Sequence, residues 1–150
     1  MKKYREYRES ENNSIGEIPK EWDLTSMKNV LKIPITDGPH TTPTLYDSGI
    51  PFISAEAVKK GKLDFSRKRG FINNEDYEEF SQKYTPMRGD VFMVKSGATT
   101  GNVAMVETDE PFSIWSPLAV FRANESKVIP LFLHYYLSLL KTSELIFHLY

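Results

Sequence analysis

The sequence predicts an α+β fold: a single globular domain with a mixed, mainly antiparallel sheet, short helices and a C-terminal apolar helix. Three observations predict it. Asp90 to Lys95 carries the apolar run Val91-Phe92-Met93-Val94, which reads as a buried strand, and Asn102 to Val106 reads as a second strand just beyond it. Asn73 to Tyr84 has a capping Asn73, Asp76 three residues on, and Tyr77, Phe80 and Tyr84 at spacings that share one helical face. Pro130 stands at the favoured first-turn position of an apolar stretch running to about Leu149.

Taken in order, Met1 to Ser14 reads as a flexible charged tail and residues 15–150 as the domain. Ile15, Ile18 and Trp22 should pack on that domain, with Trp22 as a core anchor. Ser26 is placed to N-cap a short helical turn from Met27 to Leu31. Ile33 to Thr36 is strand-like. The segment Asp37-Gly38-Pro39-His40-Thr41-Thr42-Pro43 cannot continue a regular element, because its prolines fix φ, Gly38 relaxes it, and Asp37 can cap the turn. Pro51 to Ala55 reads as another buried strand. A hairpin or exposed loop around Gly61 and Gly70 follows, with Leu63, Phe65 and Phe71 facing inward. In the Asn73–Tyr84 helix, acids fill the first turn beside the positive dipole end. Ser96 to Gly101 must turn the chain between the central strands, with Gly97 and Gly101 supplying positive φ. Phe112 to Arg122 reads as one long strand in which Pro117 marks an edge or a bulge. The helix after Pro130 is apolar nearly all round and wants burial on more than one side.

Composition narrows the classes. A chain of 150 residues can bury a real core without staples. It has no cysteine, which fits a reducing compartment and excludes a Cys-based zinc site or a thiol nucleophile. The polar N-terminus lacks the apolar stretch of a signal peptide, and Val128 to Leu140 is too short to span a membrane. A cytoplasmic protein is the expectation. Lys and Arg number 19 against 20 for Asp and Glu, a net charge of −1. The balance is not that of a basic nucleic-acid binder, but the charge is segregated. Lys59, Lys60, Lys62, Arg67, Lys68 and Arg69 face Asp64 alone across Val58 to Gly70, and acids gather afterwards at Glu75, Asp76, Glu78 and Glu79.

Enzyme readings fail on order and spacing. Lys95-Ser96-Gly97, Ser138-x-x-Lys141 and Ser10-x-Asn12 echo the elements of penicillin-binding proteins, but in reversed order. Gly97 to Gly101 has the wrong spacing for a phosphate-binding Walker loop, and His40 with Asp37 lacks a nucleophile. His134 and His148 lie too far apart along a helix to share a metal. No catalytic residue, metal or cofactor is expected.

Four stretches, in order, resemble the target recognition domains of Type I restriction–modification specificity subunits. They are IGEIPKEWDLTSMKNV (Ile15 to Val30), ITDGPHTTPTLYDSGIPFISAEAV (Ile35 to Val58), GDVFMVKSGATTGNVAMV (Gly89 to Val106) and the helical region after Pro130. The resemblance implies a domain that reads one half of a bipartite target in double-stranded DNA. It also implies docking to a DNA methyltransferase subunit and, indirectly, association with a restriction subunit, in which catalysis would reside. In that family further recognition structure, a long coiled-coil helix and a second recognition domain follow, so this chain is expected to be a truncated product or a fragment. The apolar C-terminal helix would then seek cover through self-association. The pattern usually has Thr where this chain has Pro39, which stiffens that loop.

Candidate DNA-contacting residues follow from both lines. The cations Lys59, Lys60, Lys62, Arg67, Lys68 and Arg69 form either a solvated face or a phosphate-positioning patch. His40, Thr41 and Thr42 from the first loop, with Lys95, Ser96, Thr99 and Thr100 from the second, line a groove or the methyltransferase interface. A non-catalytic protein-interaction module without usable DNA affinity is the competing expectation.

Overall fold

A computed structural model describes residues 4–10 and 15–140. The chain divides into two units, Met1–Val30 and Leu31–Tyr150.

In the first unit, strands β1 (Tyr7–Glu9) and β2 (Glu17–Pro19) pair antiparallel. Ile18 is buried, but Ile15 and Trp22 are 38% and 40% exposed, so Trp22 is not the core anchor its size implied. A two-stranded hairpin is too small to enclose an indole. The ring instead meets Tyr4 edge-on at 5.7 Å. The expected helical turn is a 3₁₀ turn, Met27–Asn29, and Ser26 precedes it without a side-chain capping bond.

The second unit begins its sheets with β3 (Thr36–Asp37), β4 (Ile50–Ile53), β5 (Val58–Lys59), β6 (Gly61–Leu63) and β7 (Gly70–Ile72). Helix α1 (Asn74–Lys83) follows, then β8 (Val91–Val94), β9 (Val103–Met105), β10 (Ser113–Ile114), β11 (Leu118–Phe121) and helix α2 (Pro130–Leu140). One sheet has the order β3-β11-β8-β9-β6-β5 and another the order β10-β4-β7. Pairing is antiparallel except for β6 with β9 and β10 with β4. The architecture is the mixed, mainly antiparallel α+β fold expected.

Strand β8 lies inside the larger sheet and is buried on both faces, which explains why its sequence is continuously apolar and does not alternate. Phe92 and Val94 join Ile53, Val58, Val106, Phe112, Ile114, Leu118 and Val120 in the main core. Helix α2 packs on β8 and β9 and buries Leu133 and Leu137. Leu131, Phe132, Tyr135, Tyr136 and Leu139 remain exposed on it. The expected extension to Leu149, with His148, lies outside the described residues. Among the described residues no helix is long and apolar enough to cross a membrane.

Helix α1 starts where its cap requires. Asn73 Oδ1 accepts the Asp76 N–H at 2.7 Å, and acids at Glu75 and Asp76 meet the helix dipole. Phe80 and Tyr77 pack with Phe52, Ile72 and Ile50 in a second core. Tyr84 does not share that core. Its backbone is extended (φ −162), which swings its ring into the main cluster beside Phe92.

The long strand expected from Phe112 to Arg122 is broken at Trp115–Pro117. Before the break β10 pairs with β4, and after it β11 pairs with β8 and β3, so the chain changes sheets. Pro117 has no N–H for a ladder, and Leu118 N–H closes the turn on the Trp115 carbonyl at 3.1 Å. The strand expected at Ile33 to Thr36 is also shorter and later than read: after a single bridge from Leu31 to Ala123, Ile33 packs on the core from irregular chain, and β3 starts at Thr36.

Candidate nucleic-acid interface

Two loops of unrelated sequence meet across a cleft of about 610 Å³. One wall comes from the basic run and the turn before it, with Glu56, Lys59, Arg67 and Arg69; the other is the glycine loop, with Ser96, Gly97 and Thr99. Trp115 and Pro117, at the change of sheets, complete the lining.

Local chemistry sets each wall. Between β5 and β6, which pair Lys59 with Lys62, a two-residue turn places Lys60 at φ +51 and Gly61 at φ +83. Positive φ at both positions is the tight hairpin that matches strand twist. A 3₁₀ turn, Phe65–Arg67, then carries the chain to β7; Asp64 starts it by accepting the Ser66 N–H at 3.1 Å and hydroxyl at 2.6 Å. On the opposite wall, Gly97 sits at φ +98 and Gly101 at φ +83, as the loop reading required. Gly101 N–H returns to the Val94 carbonyl at 2.8 Å, and the Thr100 hydroxyl donates to the Gly97 carbonyl at 2.6 Å.

The structure thus brings together Lys59, Arg67, Arg69, Ser96 and Thr99 from the candidate set. The others are placed elsewhere. Lys62 meets Glu107 at 3.4 Å on the surface. Lys68 lies over the Phe71 ring at 4.9 Å and donates to the Phe65 carbonyl. Lys60 occupies the hairpin turn, and Thr100 is engaged within its own loop. His40, Thr41 and Thr42 are exposed outside the cleft lining.

Lys95 and His40 share one partner. The Asp37 carboxylate accepts hydrogen bonds from Lys83 and Lys95 and lies 3.2 Å from His40 Nε2. Asp37 was expected to cap its own turn; instead it joins three segments far apart in sequence, because paired cations satisfy a carboxylate more strongly than a backbone turn does. Partial burial works against its charge, and the hydrogen bonds to Lys83 and Lys95 outweigh that, holding its carboxyl below the usual value. Gly38 follows directly and lies against the Ile114 backbone, where a Cβ would come within 2.1 Å of the carbonyl oxygen. These contacts fasten the Asp37–Pro43 loop to the sheet change and to the start of the glycine loop.

A second carboxylate was missed as a structural centre. Asp90 is 1% exposed, and Arg122 grips it with Nε at 2.7 Å and Nη2 at 2.8 Å. The Tyr84 hydroxyl and the Met87 N–H at 2.8 Å donate to the same carboxylate, while Arg122 Nη2 also reaches the Thr85 carbonyl at 2.8 Å. Desolvation by burial, with Asp90 nearby, pushes the Tyr84 phenol far up, and the hydrogen bond to Asp90 raises Arg122. An acid directly before a wholly apolar strand was the available signal. Its partner on β11's far end had none.

The chain belongs to the Type I restriction modification DNA specificity domain family, whose model matches residues 19–149. It is similar to the putative type I restriction enzyme MjaX specificity subunit of Methanocaldococcus jannaschii, 29% identical over 126 residues. The match covers 82% of this chain and 29% of that protein, so the chain spans under a third of this relative's length.

Proposed function

We propose that this chain reads one half of a bipartite target in double-stranded DNA and that the cleft faces the duplex. The observation that carries the reading is the meeting of Lys59, Arg67 and Arg69 with the small, exposed residues of the glycine loop. Lys59 and Arg67, held at the wall of a wide cleft, attract phosphates, while a loop of Ser, Gly and Thr admits close approach of a partner's backbone. Membership of the DNA specificity family supports the same reading. The domain acts without catalysis of its own. A methyltransferase subunit docks on it, a restriction subunit joins indirectly, and the assembly works in the cytoplasm.

A second reading draws on the exposed Leu131, Tyr135 and Leu139 of α2. An apolar face of that kind suits a protein partner or a second copy of the chain. Salt separates the two. Duplex binding followed by fluorescence anisotropy should weaken steeply with salt, and Lys59→Ala and Arg67→Ala should each flatten the log–log slope by about 0.9. A slope unchanged in both variants would make the cleft cations a solvated wall and favour the protein-interaction reading.

A further inference from the structure

Arg69 differs in physical setting from the other cations around it. Its side chain is 35% exposed, against 51% for Arg67 and 72% for Lys62. Its backbone N–H is fixed to the Phe52 carbonyl at 2.9 Å, so the side chain springs from the residue that leads into β7 and not from the loop tip. Its guanidinium carbon lies 4.5 Å over the Trp115 ring, and Nη1 donates to Glu56 Oε1 at 3.1 Å. Trp115 is itself anchored, with its backbone N–H on the Ile53 carbonyl at 2.9 Å and its ring against the second core. A guanidinium lying on an indole has one face covered and presents its edge. Glu56 takes one of its N–H groups, and both residues line the cleft.

That arrangement is poorly suited to a phosphate. The carboxylate beside Arg69 repels an anion, and the pair carries no net charge with which to displace counterions. It is well suited to a neutral base edge. A guanidinium edge matches the O6 and N7 acceptors of guanine, and a carboxylate accepts the N4 amino group of cytosine. The two groups stand side by side, as those acceptors and that donor do across one base pair.

We propose that Arg69 and Glu56 form a specificity-determining pair that reads a G·C base pair from the major groove, with Trp115 as the platform that holds the guanidinium. The proposal rests on the DNA-recognition reading above. Arg67 and Lys59 stand at the same cleft as the candidate phosphate contacts: Arg67 meets Asp64 at 3.6 Å, a looser pair than Arg69 with Glu56 at 3.1 Å.

The test is selection from a randomised duplex library with the full 150-residue chain and its Arg69→Lys, Glu56→Gln and Lys59→Ala variants, each first checked by thermal melting. The parent should enrich G·C at one position by about 5- to 150-fold over other pairs, the range of one good bidentate contact. Arg69→Lys keeps the charge and loses the fork, so it should lose that preference while its salt slope stays within about 0.3 of the parent, well short of the 0.9 of a lost phosphate contact. Glu56→Gln should relax the same position, and Lys59→Ala should flatten the slope with the preference intact. Retention of the same enriched pair by both Arg69→Lys and Glu56→Gln would overturn the proposal alone, leaving the chain a DNA reader. A parent that binds no duplex would overturn the DNA-recognition reading, and this proposal with it.

Discussion

Asp90 and Asp37 are both carboxylates held by cations, yet they solve different problems. Asp90 is 1% exposed and gripped by the fork of Arg122, with Tyr84 and the Met87 N–H filling its remaining acceptor positions. It pins the turn before β8 to the end of β11 inside the core. Asp37 has a 16% exposed side chain and takes two flexible lysines, from α1 and from the start of the glycine loop. Rigidity is concentrated at the buried pair. A planar, bidentate pair locks the frame, and a partly wet cluster of lysines ties the loops at its edge.

Breaking the buried centre should have the largest effect. Asp90→Ala leaves the Arg122 guanidinium, 19% exposed, without its carboxylate and should cost about 3–5 kcal/mol by chemical denaturation. A loss under about 1 kcal/mol would show that the pair does not hold the frame, since surface substitutions already reach about 0.5.

Asp37→Asn should cost less at neutral pH, about 1.5–3 kcal/mol, because Lys83 and Lys95, 46% and 25% exposed, are within reach of water when the carboxylate is lost. Its folded pKa is depressed below 3.8, so the stabilisation is complete above the unfolded value and fades as pH falls through the lower folded value. The gap in stability between parent and variant should be flat near neutrality and close below about pH 4. A gap that persists unchanged at low pH would mean that the charge contributes nothing.

The glycines sharpen the same contrast. Gly38→Ala drives a Cβ into the Ile114 carbonyl and should cost about 1–3 kcal/mol through overpacking. Gly97→Ala meets nothing within 4 Å and carries only the strain of φ +98, about 1–2 kcal/mol. Thermal melts in which Gly97→Ala loses far more than Gly38→Ala would reverse the assignment of frame and loop. At the small end, Leu139→Lys on the exposed face of α2 should change stability by about 0.5 kcal/mol or less. Sedimentation should show it lowering any self-association of the chain, and an unchanged association constant would place the contact elsewhere.

Much of the frame was legible because it depends on local pattern. The Val91–Val94 run, the Asn73 cap and the positive-φ glycines each carry their signal within a few residues. The change of sheets at Trp115–Pro117 was only half legible: Pro117 announced a break, but which strands lie on either side depends on pairing with β4 and β8. Trp22 misled, since an indole's size says how much it could bury and not whether its surroundings can enclose it. In the cleft, clustering in sequence marked Arg69 but could not tell it from Lys62. Its platform and its acid, Trp115 and Glu56, lie 46 and 13 positions away, and only folding assembles them.

An amide NMR titration of the labelled chain with a short duplex locates the face on which the DNA lies, which the proposed function puts at the cleft. The expected result is that signals of Lys59, Arg67 to Arg69 and Ser96 to Asn102 shift or broaden first, while those of Leu131 to Leu139 stay in place. Perturbation confined to α2, with the cleft signals unmoved at saturating duplex, would contradict it.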